Sequence, residues 1–128
     1  MDNRYVNHKY PSSEVTSKII AACFEVHNEL GPGFEEVVYQ RALAKQLPLH
    51  DLEFSREVKM DIFYKGITVG KKRVDFVVEE CLLEIKAKKE LEDVDFVQTL
   101  SYLKASGFKV ALLVNFGGKR VQVKRLVH

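Results

Sequence analysis

The chain has no tryptophan, three prolines, seven glycines and two cysteines among its 128 residues. Cys23 and Cys81 stand far apart and form no C-x-x-C pair, so neither a disulfide framework nor a thiolate metal centre is expected. Both sit in apolar surroundings and read as reduced core thiols. The scarcity of proline and glycine excludes a fibrous or low-complexity chain. No apolar run approaches the roughly 20 residues that span a bilayer. The amino terminus, "MDNRYVNHKYPSSEV", has no apolar leader core. A cytoplasmic protein without a membrane partner is expected. No charge sign dominates either: 20 basic against 18 acidic residues leave a formal +2, so a nucleic-acid contact would have to rest on local placement.

What is present is ordinary for a globular chain, 46% hydrophobic and 30% charged, and the length suits one domain. Residues 1–12 read as a flexible arm and residues 13–128 as the domain. In "PSSEVTSKIIAACFEVHNELGPG" the residues Val15, Ile19, Ala22, Val26 and Leu30 recur at helical spacing. Ser12 or Ser13 is the expected N-cap, and Gly31-Pro32 the stop. A second helix is expected from Phe34 to Leu47, before Pro48.

From Glu53 the period drops to two, with Phe54, Val58, Met60, Ile62 and Tyr64 alternating with polar residues. Lys65-Gly66 is a turn, and the apolar runs Val74–Val78 and Cys81–Ala87 form a hairpin around Glu79-Glu80. Glu90–Ser106 returns to helical spacing. "FKVALLVNF" is a strand covered on both faces. Gly117-Gly118 is expected to make a hairpin turn into a charged edge strand, "RVQVKRLV". The order α-α-β-β-β-α-β-β defines an α/β protein with a mixed sheet flanked by helices.

The chemistry concentrates in "VDFVVEECLLEIKAKKE". Residues i and i+2 of a strand share a face, so Glu84 and Lys86 project side by side, and a hairpin at residues 79 and 80 brings Asp75 beside Glu84. Two clustered carboxylates are hard oxygen ligands suited to Mg²⁺ or Mn²⁺. A neighbouring ammonium can orient a water and offset charge in a transition state. The plain alternative is a pair of rim acids with Lys86 as their salt-bridge partner.

Asp75 with Glu84-Ile85-Lys86 resembles the PD-(D/E)xK nuclease signature. More specifically, "ELGPGFEEVVY" resembles the naming motif of the GxxExxY proteins, with Gly33, Glu36 and Tyr39 at the named positions. "KII", "EVHNELGPG", "YKG", "QTLSYLK" and "LLVNFG" are similar to that family too, so the likeness runs over about residues 14–118. The span from Asp75 to Glu84 is a residue shorter than the family pattern, which bears on the hairpin register.

The resemblance implies a restriction-endonuclease-like fold and a metal-dependent nuclease acting on nucleic acid, DNA before RNA. Asp75, Glu84, the Ile85 carbonyl and Glu36 would hold Mg²⁺ or Mn²⁺, and Asp75, Glu84, Lys86 and Glu36 would form the catalytic set. Gln98 and Tyr102, a Q-x-x-x-Y pair one helical turn apart, would contact substrate together with Tyr39. Plainer roles compete. Glu36 also suits the positive end of a helix, Tyr39 and Tyr102 suit a core edge, and His27 suits a packed, hydrogen-bonded position. The basic residues Lys71, Lys72, Arg73, Lys88, Lys89, Lys119, Arg120, Lys124 and Arg125 offer a phosphate-binding rim. A homodimer is left open. The competing function is a non-catalytic nucleic-acid- or protein-binding module that keeps the fold.

Overall fold

The structure, a computed structural model, describes residues 12–128. The arm expected over residues 1–12 lies outside the described residues except for Ser12. Helices α1 (Ser13–Leu30) and α2 (Glu36–Gln46) are followed by a short 3-10 turn, Leu47–His50. Strands β1 (Phe54–Tyr64), β2 (Ile67–Val78) and β3 (Cys81–Lys86) come next, then α3 (Asp93–Ser106), β4 (Val110–Asn115) and β5 (Gln122–Val127). The sheet order is β1-β2-β3-β4-β5, antiparallel except for the parallel β3–β4 pair that α3 connects. This is the expected restriction-endonuclease-like α/β arrangement.

Helices α1 and α2 cover one face of the sheet, where Ile19, Val26, Tyr39 and Leu43 pack against Phe76, Leu83, Ile85 and Leu112. Helix α3 covers the other, where Leu103 meets Val74, Leu82 and Ala111. Strand β4 is buried along its whole length, as its unbroken apolar run requires.

Three local expectations are corrected. Ser12 occupies the N-cap position of α1 but makes no cap bond; its hydroxyl donates instead to Glu80 Oε1 at 2.9 Å. Gly117 and Gly118 lie in a loop between β4 and β5 rather than a two-residue turn. The period of two along β1 holds in burial from Phe54 to Ile62 but not on one face, because Phe54 packs under α1 and α2 while Val58 packs toward α3. Glu57, at φ 52°, absorbs the reversal, and the ladder skips the Glu57/Asp75 position opposite it. The sheet therefore kinks where Asp75 sits.

Candidate active site

Beside this reversal the pairing of β2 with β3 breaks off and leaves a gap in the ladder. Their ladder pairs Val78 with Cys81, Val77 with Leu82 and Phe76 with Leu83, and then stops. The tight turn at Glu79-Glu80 fixes the register that leaves Asp75 opposite Glu84. Side chains complete what the backbone leaves undone. The Ile85 N–H donates to Asp75 Oδ2 at 2.8 Å, and the Asp75 N–H donates to Glu84 Oε1 at 3.3 Å. Each carboxylate thus takes the place of a ladder carbonyl, which aims both into the gap. Ile85 buries its side chain in the core, so only its backbone reaches the site.

The charge state follows from this placement. Burial, then the neighbouring Asp75 charge, pushes the Glu84 carboxyl up to about 8. Burial also raises Asp75, against the Ile85 N–H and the nearby Lys86 and Lys72 ammoniums, which favour its ionised form. Glu36, at the start of α2, is raised by burial and by Asp75, with Lys86 and Lys72 pulling the other way. Burial and mutual repulsion both favour protonation of this pair, and a divalent cation can offset the same charge.

The donor chemistry fits such an ion: hard oxygens, already partly dehydrated, with too much negative charge of their own. Glu36 stands within electrostatic reach of the pair without closing on it. Among the described residues, no three His, Cys, Asp or Glu side chains form a ready-made ion site. The expected three-carboxylate convergence is therefore a pair with a third acid at its margin.

The G-x-x-E-x-x-Y spacing has a physical account. Gly33, at φ 112°, takes a backbone conformation that a side chain would strain. The Tyr39 hydroxyl donates to the Gly31 carbonyl at 2.6 Å and accepts from the Phe34 N–H at 3.2 Å. Glycine shapes the loop, tyrosine ties it down, and Glu36 is delivered at the helix start beside Asp75. Tyr39 itself is fully buried and stacks on Phe116 at 4.9 Å. It has no surface to offer a substrate, so the core position describes it and the substrate-contact expectation does not.

Lys86 is half-buried and makes no ion pair among the described residues. The chain beyond it is held firmly. The Phe116 N–H donates to the Lys86 carbonyl at 2.9 Å. Fully buried Asn115 accepts from the Lys88 and Gly117 N–H groups at 2.9 and 3.2 Å, and donates to the Lys88 carbonyl and Gln122 Oε1, both at 2.9 Å. A Cβ on Gly117 would stand 2.1 Å from the Lys88 carbonyl oxygen, which is why glycine occupies this close approach. His27 Nε2 is 3.0 Å from the Gly118 carbonyl, the packed role expected of it. Lys88 does not serve a rim: its ammonium binds Asp95 at 3.0 Å and Glu92 at 3.4 Å, at the start of α3.

Sequence reasoning placed Lys72 on the rim, but its ammonium lies 4.5 Å from the Tyr102 ring centroid and acts on Asp75, Glu84 and Glu36 together. The signal available was its parity: Lys72 shares a strand face with Val74, which packs toward α3 as Tyr102 does. Tyr102 is half-buried beneath it. Gln98 is exposed, one turn away on α3, and makes no side-chain hydrogen bond among the described residues.

A split mixed sheet with paired carboxylates at the split and a lysine two residues beyond one of them defines a nuclease-like α/β protein. The sequence matches the PD-(D/E)XK nuclease superfamily over residues 13–126, and the chain belongs to that superfamily. Among solved structures it is similar to that of SSO0001, with 17% identity and a TM-score of 0.46 over 89% of this chain. It spans 65% of that chain's length. No curated protein matches it. No helix among the described residues is long and apolar enough to cross a membrane.

Proposed function

We propose that this protein is a metal-dependent nuclease that hydrolyses phosphodiester bonds of DNA, with Asp75, Glu84 and Lys86 as its central residues and Glu36 in support. The observation that carries the reading is the reciprocal Asp75–Glu84 arrangement at the split between β2 and β3, with both carboxyls raised by burial. A pair serving only the fold has little reason to bury two acids that repel one another. A bound Mg²⁺ or Mn²⁺ would supply a Lewis acid for the phosphoryl oxygen.

The side chains perform the rest. Asp75 and Glu84 would hold the ion, with the Ile85 carbonyl and Glu36 in support. The Lys86 ammonium orients the attacking water and offsets negative charge growing on the phosphoryl group. Tyr102 holds Lys72 over the site, and Gln98 is free on the same helix to meet the strand. The G-x-x-E-x-x-Y spacing of Gly33, Glu36 and Tyr39 supports reading the chain as a member of the GxxExxY branch of that superfamily.

The test is cleavage of DNA under Mg²⁺ or Mn²⁺, compared with Asp75→Asn and Lys86→Ala. Asp75→Asn should abolish both ion binding, read by calorimetry, and cleavage. Lys86→Ala should keep the fold and the bound ion and lower the rate by on the order of a hundredfold. A Lys86→Ala protein that melts earlier but cleaves at the wild-type rate would make Lys86 a structural residue. Absence of cleavage in the wild type, with DNA still bound, would turn the reading to the non-catalytic module.

A further inference from the structure

Beyond Asp75, strand β2 leaves β3 and, among the described residues, pairs only with β1. The outer parts of β1 and β2 form a two-stranded ribbon whose root lies against α3 through Val58 and Met60. Between Lys59 and Arg73 this ribbon carries five basic residues and one acid, Asp61. Lys59 faces Arg73 across the ladder, and Asp61 faces Lys71. All four are exposed, alternating with the residues turned toward α3, so they share the open face.

Like charges set opposite one another repel, and among the described residues none of Lys59, Lys71 and Arg73 sits in an ion pair. At the tip, Phe63, Tyr64, Ile67 and Val69 are each at least 60% exposed, and the Lys65 ammonium lies 5.5 Å from the Tyr64 ring centroid. Neither the repelling bases nor the bare apolar tip is explained by the fold.

We infer that this ribbon is an arm that lies in the major groove of duplex DNA beside the cleavage site. The inference rests on reading the Asp75–Glu84 pair as a nuclease centre, because Asp75 and the arm are one continuous strand. A two-stranded ribbon fits the roughly 12 Å major groove of B-DNA, whereas the major groove of duplex RNA is deep and narrow. The open basic face meets phosphates, and the apolar tip meets base edges and thymine methyl groups. From Asp75 to Ile67, at about 3.3 Å per residue, the arm extends roughly 26 Å. That length corresponds to about eight base pairs at 3.4 Å each. The substrate class is therefore duplex DNA continuing about that far past the scissile bond on one side. A protein partner would have to accept the mutual repulsion of the bases without an array of phosphates to neutralise it.

The experiment measures duplex binding by fluorescence anisotropy in EDTA across a range of salt, so that cleavage plays no part. Wild type is compared with a Lys59→Ala, Lys71→Ala, Arg73→Ala triple variant and with a Tyr64→Ser, Ile67→Ser tip variant. All five positions are exposed, and unchanged melting temperatures check the fold. The triple variant should weaken binding ten- to a hundredfold near physiological salt, and flatten the log–log salt slope by about 0.9 per lost phosphate contact. The tip variant should weaken duplex DNA binding with a smaller change in slope. Duplex RNA of the same sequence should bind at least tenfold more weakly.

Wild-type affinity and slope in the triple variant would overturn the arm while leaving cleavage, and so the nuclease reading, in place. Equal binding of duplex RNA would overturn the major-groove placement. A wild-type dimer in light scattering that the tip variant converts to a monomer, with DNA affinity unchanged, would make the tip a protein interface instead. Arm-dependent binding by a protein that never cleaves would sink the nuclease reading alone.

Discussion

The metal-free protein should lose stability as the pH rises, and Glu84→Gln should remove a large part of that loss. Glu84 titrates near 4.5 in an unfolded chain and is pushed up to about 8 in the fold, by burial first and the Asp75 charge second. The folded state therefore binds this proton more tightly than the unfolded chain does. Its stabilising effect is complete below about pH 4.5 and is lost as the pH climbs through about 8. At about 1.4 kcal/mol per pH unit across that window, the ceiling is about 5 kcal/mol. Because Asp75 and Glu84 titrate as an interacting pair, about 2–3 kcal/mol is the part expected to go with Glu84→Gln.

For a chain of this length about 1 kcal/mol moves Tm by about 4 °C. Between pH 5 and pH 8.5 in EDTA, wild type should thus fall about 8–12 °C further than the variant. The glutamine keeps a side-chain oxygen for the Asp75 N–H, so the gap stays closed in both proteins. The assay is thermal melting at fixed ionic strength in steps of pH. The difference between the proteins is the readout, since Asp75 and Glu36 are raised in the same direction and persist in the variant. At pH 8, Mg²⁺ should restore wild type and not the variant. Parallel melting profiles would refute the reasoning, because Glu84 would then titrate like any exposed glutamate.

Removing Asn115 should disturb the site through the chain that follows Lys86. Asn115→Ala leaves the Lys88 N–H and carbonyl without buried partners, which should lower stability by about 2–4 kcal/mol in denaturant melts and depress kcat more than it changes KM. Tyr39→Phe keeps the ring stacked on Phe116 but frees the Gly31 carbonyl and the Phe34 N–H. It should cost about 1–2 kcal/mol and increase hydrogen exchange at residues 31–36, whereas a protein in which Tyr39 touches only substrate would show a raised KM and unchanged exchange. Tyr102→Ala should release Lys72 and raise KM, while Tyr102→Phe, which keeps the ring face but loses the hydroxyl that also acts on the ammonium, should raise KM less.

The fold was legible because its signals are local and agree with one another. The helical stripe from Val15 to Leu30 and the continuous apolar run of β4 each name an element and the layer it belongs to, whereas β5 forms where expected but packs Val123 and Leu126 to opposite faces. Even the site's central contact followed from arithmetic, since a turn at residues 79 and 80 places Asp75 opposite Glu84 whatever else the sheet does. The failures occur where one backbone position changes the meaning of everything beyond it. Glu57 takes a positive φ that its side chain does not announce, and the reversal at that point turns Val58 and Lys72 to the α3 side of the sheet. Lys72 shares its strand face with Val74, but which layer that face meets was hidden by the reversal, so a site residue looked like rim.

The Asn115 clasp was illegible for a different reason. Its four partners lie on three separate segments, and an asparagine at the end of a buried strand reads from sequence as a strand stop. The reversal that hid the place of Lys72 also makes the site. If β2 and β3 stayed paired past Phe76, backbone groups would fill the gap, and the two carboxylates would have no N–H to turn them inward. The kink also frees the ribbon beyond Asp75 from the rest of the sheet. One departure from regular pairing therefore provides both the pocket for the acids and the arm that extends from it, and straightening Glu57 should impair the two together.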